Sequence, residues 1–139
     1  VHHYTLGGLL DGHAAEAAAS VIEPEAVERM RKLLDEMAVE GNVARVQQLD
    51  EEFHRVYYQA AGNPVLIEVM DRINAETRRI ERAAFREPQI REQAHQEHIA
   101  ILEALAAGDA EAAKAVAVSN WQNSWERIHA AIQPKAAAG

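Results

Sequence analysis

Apolar residues recur every three or four positions in six successive stretches, each bounded by proline, glycine or asparagine, and this spacing predicts six helices. The first stretch, from about Thr5 to Ser20, sets Leu6, Leu9, Leu10, His13 and Ala17 on one face, interrupted by Gly7, Gly8 and Gly12. Each interior glycine costs about 1 kcal/mol relative to alanine, so this helix depends on packing. Glu23-Pro24 opens the second helix with proline at its first position, and Val27, Met30, Leu33, Leu34 and Met37 recur until Gly41. Asn42 suits the N-cap of the third helix, which ends at Gly62. Asn63-Pro64 then opens the fourth, with Leu66, Val69, Met70, Ile73, Ile80 and Ala84 as its stripe to about Phe85. Pro88 starts the fifth, on which Ala94, His98, Ile101 and Leu105 share a face, and Gly108-Asp109 closes it and caps the sixth. The sixth runs from about Ala110 to Gln133 and stops at Pro134, with Val118, Trp121, Trp125, Ile128 and Ile132 as a seam and Ala113, Val116 and Asn120 along its edge. Lys135 to Gly139 reads as a frayed tail. Such short turns make neighbouring helices antiparallel, so the expected fold is all-α, an antiparallel bundle of about six helices in one domain over residues 1–134.

Polar residues inside two of these stripes carry the candidate chemistry. On the third helix Val46, Phe53, Tyr57 and Ala61 lie on one side, and Asp50 and His54 fall within that stripe. They are four residues apart and therefore neighbours on the helix surface. An inward carboxylate and imidazole need compensation, which points to a private ion pair or a shared cation. His98 repeats the anomaly on the fifth helix. Two histidines and an aspartate facing inward from different helices suit a metal site, because bundle cores are where such sites are built; a set of hydrogen-bonded core residues is the alternative. Asn74 and Thr77 lie at or beside the inner stripe of the fourth helix and are candidate cavity-lining groups. His13 faces inward on the first helix as either a ligand-contacting or a plain core residue. His95 sits at the edge of the His98 face, and His2, His3 and His129 read as surface or terminal residues. Glu51-x-x-His54 and Glu92-x-x-His95 have the spacing of carboxylate-bridged di-iron bundles, but Glu92 points well away from its helix's stripe and Glu51 only borders its own.

Composition narrows the options. With no cysteine in 139 residues, a disulfide framework and thiolate metal sites are excluded, so any metal must use nitrogen and oxygen ligands. The formal net charge of −8 argues against a phosphate-binding surface over the domain as a whole, because nonspecific nucleic-acid affinity comes mainly from lysine and arginine. No run of eighteen apolar residues and no signal-peptide pattern is present, so the expectation is a soluble cytoplasmic protein with no membrane partner.

The order of motifs resembles the FCD domain, the C-terminal effector-binding domain of GntR-type transcription regulators in the FadR-like branch. The matching stretches are Leu9-Leu10-Asp11-Gly12 and the alanine-rich run after it, Asp50-Glu51-Glu52-Phe53-His54, Ala60-Ala61-Gly62-Asn63-Pro64, Glu97-His98-Ile99-Ala100-Ile101-Leu102, and Gly108-Asp109-Ala110-Glu111-Ala112-Ala113. The resemblance implies a bundle holding a divalent metal through one aspartate and three histidines, with a small organic acid completing the coordination. Asp50, His54 and His98 match three of those positions, whereas the fourth histidine falls at Asn120. A neutral amide oxygen is a poorer ligand than imidazole for zinc or nickel, the metals otherwise expected, and shifts preference toward harder ions such as manganese. At Gly7 many relatives carry an arginine, one turn before an acidic residue that is here Asp11. These regulators also carry an N-terminal winged helix-turn-helix, absent from these residues, so the resemblance implies a sensing domain that reaches DNA only through another domain and forms a homodimer. The expected function is metal-dependent sensing of a small carboxylate, with His13, Asn74 and Thr77 as candidate effector contacts and no catalysis. A metal-dependent hydrolase or oxygenase in a helical bundle is the alternative, and a metal-free helical scaffold is the third.

Overall fold

The computed structural model describes residues 2–132, and every element among them is an α-helix. The order is α1 (His2–Ala19), α2 (Pro24–Val39), α3 (Val43–Ala61), α4 (Pro64–Ala84), α5 (Pro88–Ala106) and α6 (Ala110–Ile132). The expected end at Gln133, the stop at Pro134, the Lys135–Gly139 tail and the side chain of Ile132 lie outside the described residues.

The boundaries follow local chemistry. The Asn42 side chain accepts from Arg45 N at 3.2 Å, Asn63 from Leu66 N at 3.1 Å and Asp109 from Ala112 N at 3.0 Å, each satisfying a donor that the first helical turn leaves free. Proline occupies the first turn of α2, α4 and α5, where its missing N–H costs nothing. Gly62 and Gly108 turn the chain after α3 and α5 with φ of 70° and 69°.

Helix α1 lies at the centre, packed on α3, α4, α5 and above all α6. It does not bury the face expected from its leucines. Leu9 is 62% exposed, Leu6 46%, and His13 is also exposed, while Tyr4, Gly7, Gly8, Asp11, Gly12, Ala14, Ala15, Ala18 and Ala19 are buried. The reason is steric. A Cβ added at Gly7 would stand 2.5 Å from a ring carbon of Trp121, and one at Gly12 would stand 2.6 Å from a Val118 methyl. The inner face of α1 is thus built from residues small enough to let α6 approach to backbone distance.

Two smaller departures lie on α6 and α4. On α6 the buried positions are Ala113, Ala117, Asn120, Trp121 and Ile128, with Val118 and Trp125 only half-buried, and it is Trp121 and Val118 that meet the glycines of α1. On α4 the buried stripe is Leu66, Met70, Ile73, Thr77 and Ala84, and Ile80 is 37% exposed.

The glycine face yields a first prediction. Alanine at Gly7 gains about 1 kcal/mol of helix propensity but overpacks a ring that cannot easily move, a penalty of roughly 1–3 kcal/mol. Gly7→Ala is therefore expected to lower the thermal midpoint, whereas Gly41→Ala, where an added Cβ would meet nothing within 4 Å, should leave it unchanged or raise it. Equal midpoints for the two variants in a thermal melt would contradict the close-approach account.

Candidate metal centre

Three donors converge where α3 faces α5. Asp50 Oδ1 lies 2.7 Å from His98 Nε2 and 3.4 Å from His54 Nε2, and the two Nε2 atoms are 3.3 Å apart. His54 and His98 are buried, and the Asp50 side chain is 18% exposed. Among the described residues this is the one group of three or more histidine or acidic side chains whose donor atoms are close enough to share a cation. The spacing fits such an ion: donors held about 2.0–2.1 Å from a tetrahedral zinc stand roughly 3.3 Å from one another, close to two of the three separations.

What lies behind His54 strengthens the fit. Its Nδ1 is 2.5 Å from the Tyr57 hydroxyl and 3.3 Å from Asp11 Oδ2. Asp11 is fully buried on α1 and also accepts from the Tyr57 hydroxyl and, at 2.5 Å, from Trp121 Nε1. A carboxylate behind the outer nitrogen fixes the ring and leaves the Nε2 lone pair for the cluster, the arrangement that supports metal-bound histidines. Asp11 thus ties α1, α3 and α6 to one ligand.

Asn120 comes to the same cavity from α6. Its Nδ2 donates to Glu97 Oε1 at 2.8 Å, which leaves Oδ1 as its acceptor. Glu97, next to His98 in sequence, also receives two bonds from Arg127, at 2.6 and 2.8 Å, and one from Asn123 at 3.1 Å. Burial alone would raise the Glu97 carboxyl, but bonds from Arg127, Asn120 and Asn123 hold it below its ordinary range.

The cluster separates two cavities. An inner one of about 40 Å³ is lined by Asp50, His54, His98, Asn74, Asn120 and Arg127, among others. An outer groove of about 520 Å³ reaches Asp50 and His98 from the other side, past Met37, Arg91 and His95. Of the three side chains expected to meet an effector, only Asn74 lines the inner cavity. Thr77 is buried beneath Tyr4, its hydroxyl facing that of Tyr4 and 3.4 Å from Asn74 O, and His13 lies exposed on the outer side of α1. Thr77 thus faces inward as expected but away from the cavity, whereas His13 lies outside because the inner face of α1 is rotated from its leucine positions. The space beside Gly7 is filled by the Trp121 ring, and the cationic side chain lining the inner cavity is Arg127 of α6. Arg127 and Glu81 were not singled out from the sequence. The signal for Glu81 is its spacing, since it continues the series Leu66, Met70, Ile73, Thr77 before Ala84.

Without a cation the cluster stores protons. Burial would lower the His54 pKa, yet Asp11 and Asp50 outweigh it and lift the ring from 6.5 to about 10. Burial would raise Asp50, yet His98 and His54 hold it well below the usual carboxylate range. A histidine with a raised folded pKa stabilises the fold fully below its unfolded pKa of about 6.5, and that contribution is lost as pH rises toward 10. A metal must displace the same proton, so zinc affinity is expected to rise about tenfold per pH unit between pH 7 and 8. Competition against a chromophoric chelator measures this, and a pH-independent constant would mean that His54 takes no part.

A family model for the FCD domain matches residues 4–123. Among solved structures the fold is similar to that of E. coli McbR/YncC, with a TM-score of 0.83 over 94% of this chain and 67% of that one, at 15% sequence identity. No curated protein matches the chain.

Proposed function

The chain belongs to the FCD-domain family, and from that premise we propose that it is the metal-containing, carboxylate-sensing and dimerising domain of a cytoplasmic GntR-type transcription regulator. The observation that carries this reading is the convergence of Asp50 Oδ1, His54 Nε2 and His98 Nε2 beside a cavity that an arginine also lines. Those three side chains would hold a divalent cation, with Asn120 Oδ1 as a weak fourth donor. A cation bound by three strong protein ligands supplies an open position for a carboxylate oxygen. Asp11 keeps His54 in the ligating orientation, and Glu97 does the same for Asn120.

Sensing requires unequal affinity for two conformations of the domain, which a ligand bridging α3, α5 and α6 can supply by favouring one spacing of those helices. DNA contact belongs to another domain in this reading, in keeping with the −8 charge. No helix among the described residues is long and apolar enough to cross a membrane.

Metal-replete protein is expected to melt higher in the presence of a small organic acid, by the equivalent of about 2.7 kcal/mol at a hundred times the dissociation constant, and a chelator should remove the effect. His98→Ala should lose bound metal by elemental analysis. Full metal content in that variant, or no thermal response to a broad panel of acids, would overturn the reading.

The fourth ligand gives a separate test. Asn120→His is expected to tighten zinc or nickel by about tenfold, or roughly 1.4 kcal/mol, because imidazole is the better donor for these ions. Asn120→Ala should weaken binding less than His98→Ala does. An unchanged affinity in Asn120→His would remove residue 120 from the coordination sphere.

A further inference from the structure

Two side chains of the inner cavity are left over once the metal ligands and their supports are assigned. Glu81, half-buried on α4, has a single hydrogen bond, from the Tyr4 hydroxyl at 3.4 Å, and pairs with no cationic side chain among the described residues. The neighbouring acid Glu51 differs, because Arg78 holds it at 2.8 and 2.9 Å. Arg127 engages Glu97 and Ser124 through its terminal nitrogens, while its Nε is buried without a partner. Glu81 and Arg127 line the same cavity as Asp50, His54 and His98. The residues lining the cavity therefore include one unpartnered donor for an anion and one acid without a cationic partner for an ammonium group.

We propose that the effector is a small aminocarboxylate, its carboxylate taken by the cation site and Arg127 Nε and its ammonium group by Glu81. This rests on the carboxylate-sensing reading above and names its ligand class. Charge favours it. Arg127 is paired with Glu97 and Glu51 with Arg78, while Asp11 and Asp50 already balance a divalent cation, so Glu81 is an acid in excess. A zwitterion adds no net charge, and its ammonium group supplies the partner that Glu81 lacks. A simple carboxylate would instead bring a second anion toward Glu81 in a site of low dielectric, where like charges repel strongly. Burial, with Asp50 and Glu51 nearby, pushes Glu81 up to about 8, and an ammonium partner favours its ionised form. Size limits the ligand. A water needs about 10–15 Å³ of such space, so the 40 Å³ inner cavity holds about three water-sized bodies, enough for the polar head of a two- or three-carbon acid.

The test is calorimetric titration of the metal-loaded protein with matched acids: glycine, alanine and β-alanine against acetate and propionate, with glycolate and lactate as the hydroxyl analogues. Metal content is measured before and after each titration, because free amino acids chelate. At least one amino acid is expected to bind about tenfold or more tighter than its desamino and hydroxyl counterparts. Glu81→Gln, with metal content confirming an intact site, should abolish that preference. Metal-dependent binding of all the acids without preference, or tighter binding of the hydroxyl analogues, overturns the aminocarboxylate proposal and leaves carboxylate sensing standing. Survival of the preference in Glu81→Gln also overturns it. If none of the acids binds the metal-loaded protein, both this proposal and the reading beneath it fall.

Discussion

Burying a carboxylate with no accessible surface is expensive unless its lone pairs are filled, and Asp11 is the residue on which this bundle meets that constraint. Its two oxygens accept from a tyrosine on α3 and a tryptophan on α6, and one of them lies behind a histidine on α3. An unfilled Asp11 would destabilise the fold. A filled one fixes where three helices sit and which nitrogen of His54 is presented. Stability and site geometry are therefore set by the same contacts, and the centre of the molecule is polar by construction.

The arrangement requires α1 and α6 to be close, since Trp121 must reach across to Asp11. Glycine at positions 7 and 12 provides that closeness. Tyr4 extends the contact, packing edge-on against Trp121 at 5.7 Å between centroids and tilted against Trp125 at 5.4 Å. The electrostatics of the cavity rest on this packing as well, because Tyr4 is the group that bonds Glu81.

Much of this was legible in the sequence, and each departure has a physical cause. The helix ends were marked by proline, asparagine and glycine in positions where each has a stereochemical role, which is why six helices and their order could be read directly. Asp50, His54 and His98 stood out because a polar residue in an apolar stripe is a contradiction that demands a partner. The inner face of α1 could not be found in that way. Glycine and alanine carry almost no hydrophobic signal, so Leu6 and Leu9 drew attention to the wrong side and took His13 with them. Asp11 appeared only as a member of a motif, because its importance lies in three partners distant in sequence. On α4 the difference has another source: Ile80 reads as core, whereas the inward series passes through the polar residues Thr77 and Glu81.

Most helix contacts absorb a small displacement by letting side chains change rotamer. A face of glycine and alanine has no rotamers to change. The α1–α6 pair is consequently a stiff unit within an otherwise adjustable bundle, in which backbone bears directly on an indole ring. Any shift of one helix must carry the other, and Asp11 travels with the pair. His54 and Tyr57 sit on α3, outside that unit, so a slide of α3 against the pair changes how both side chains meet Asp11.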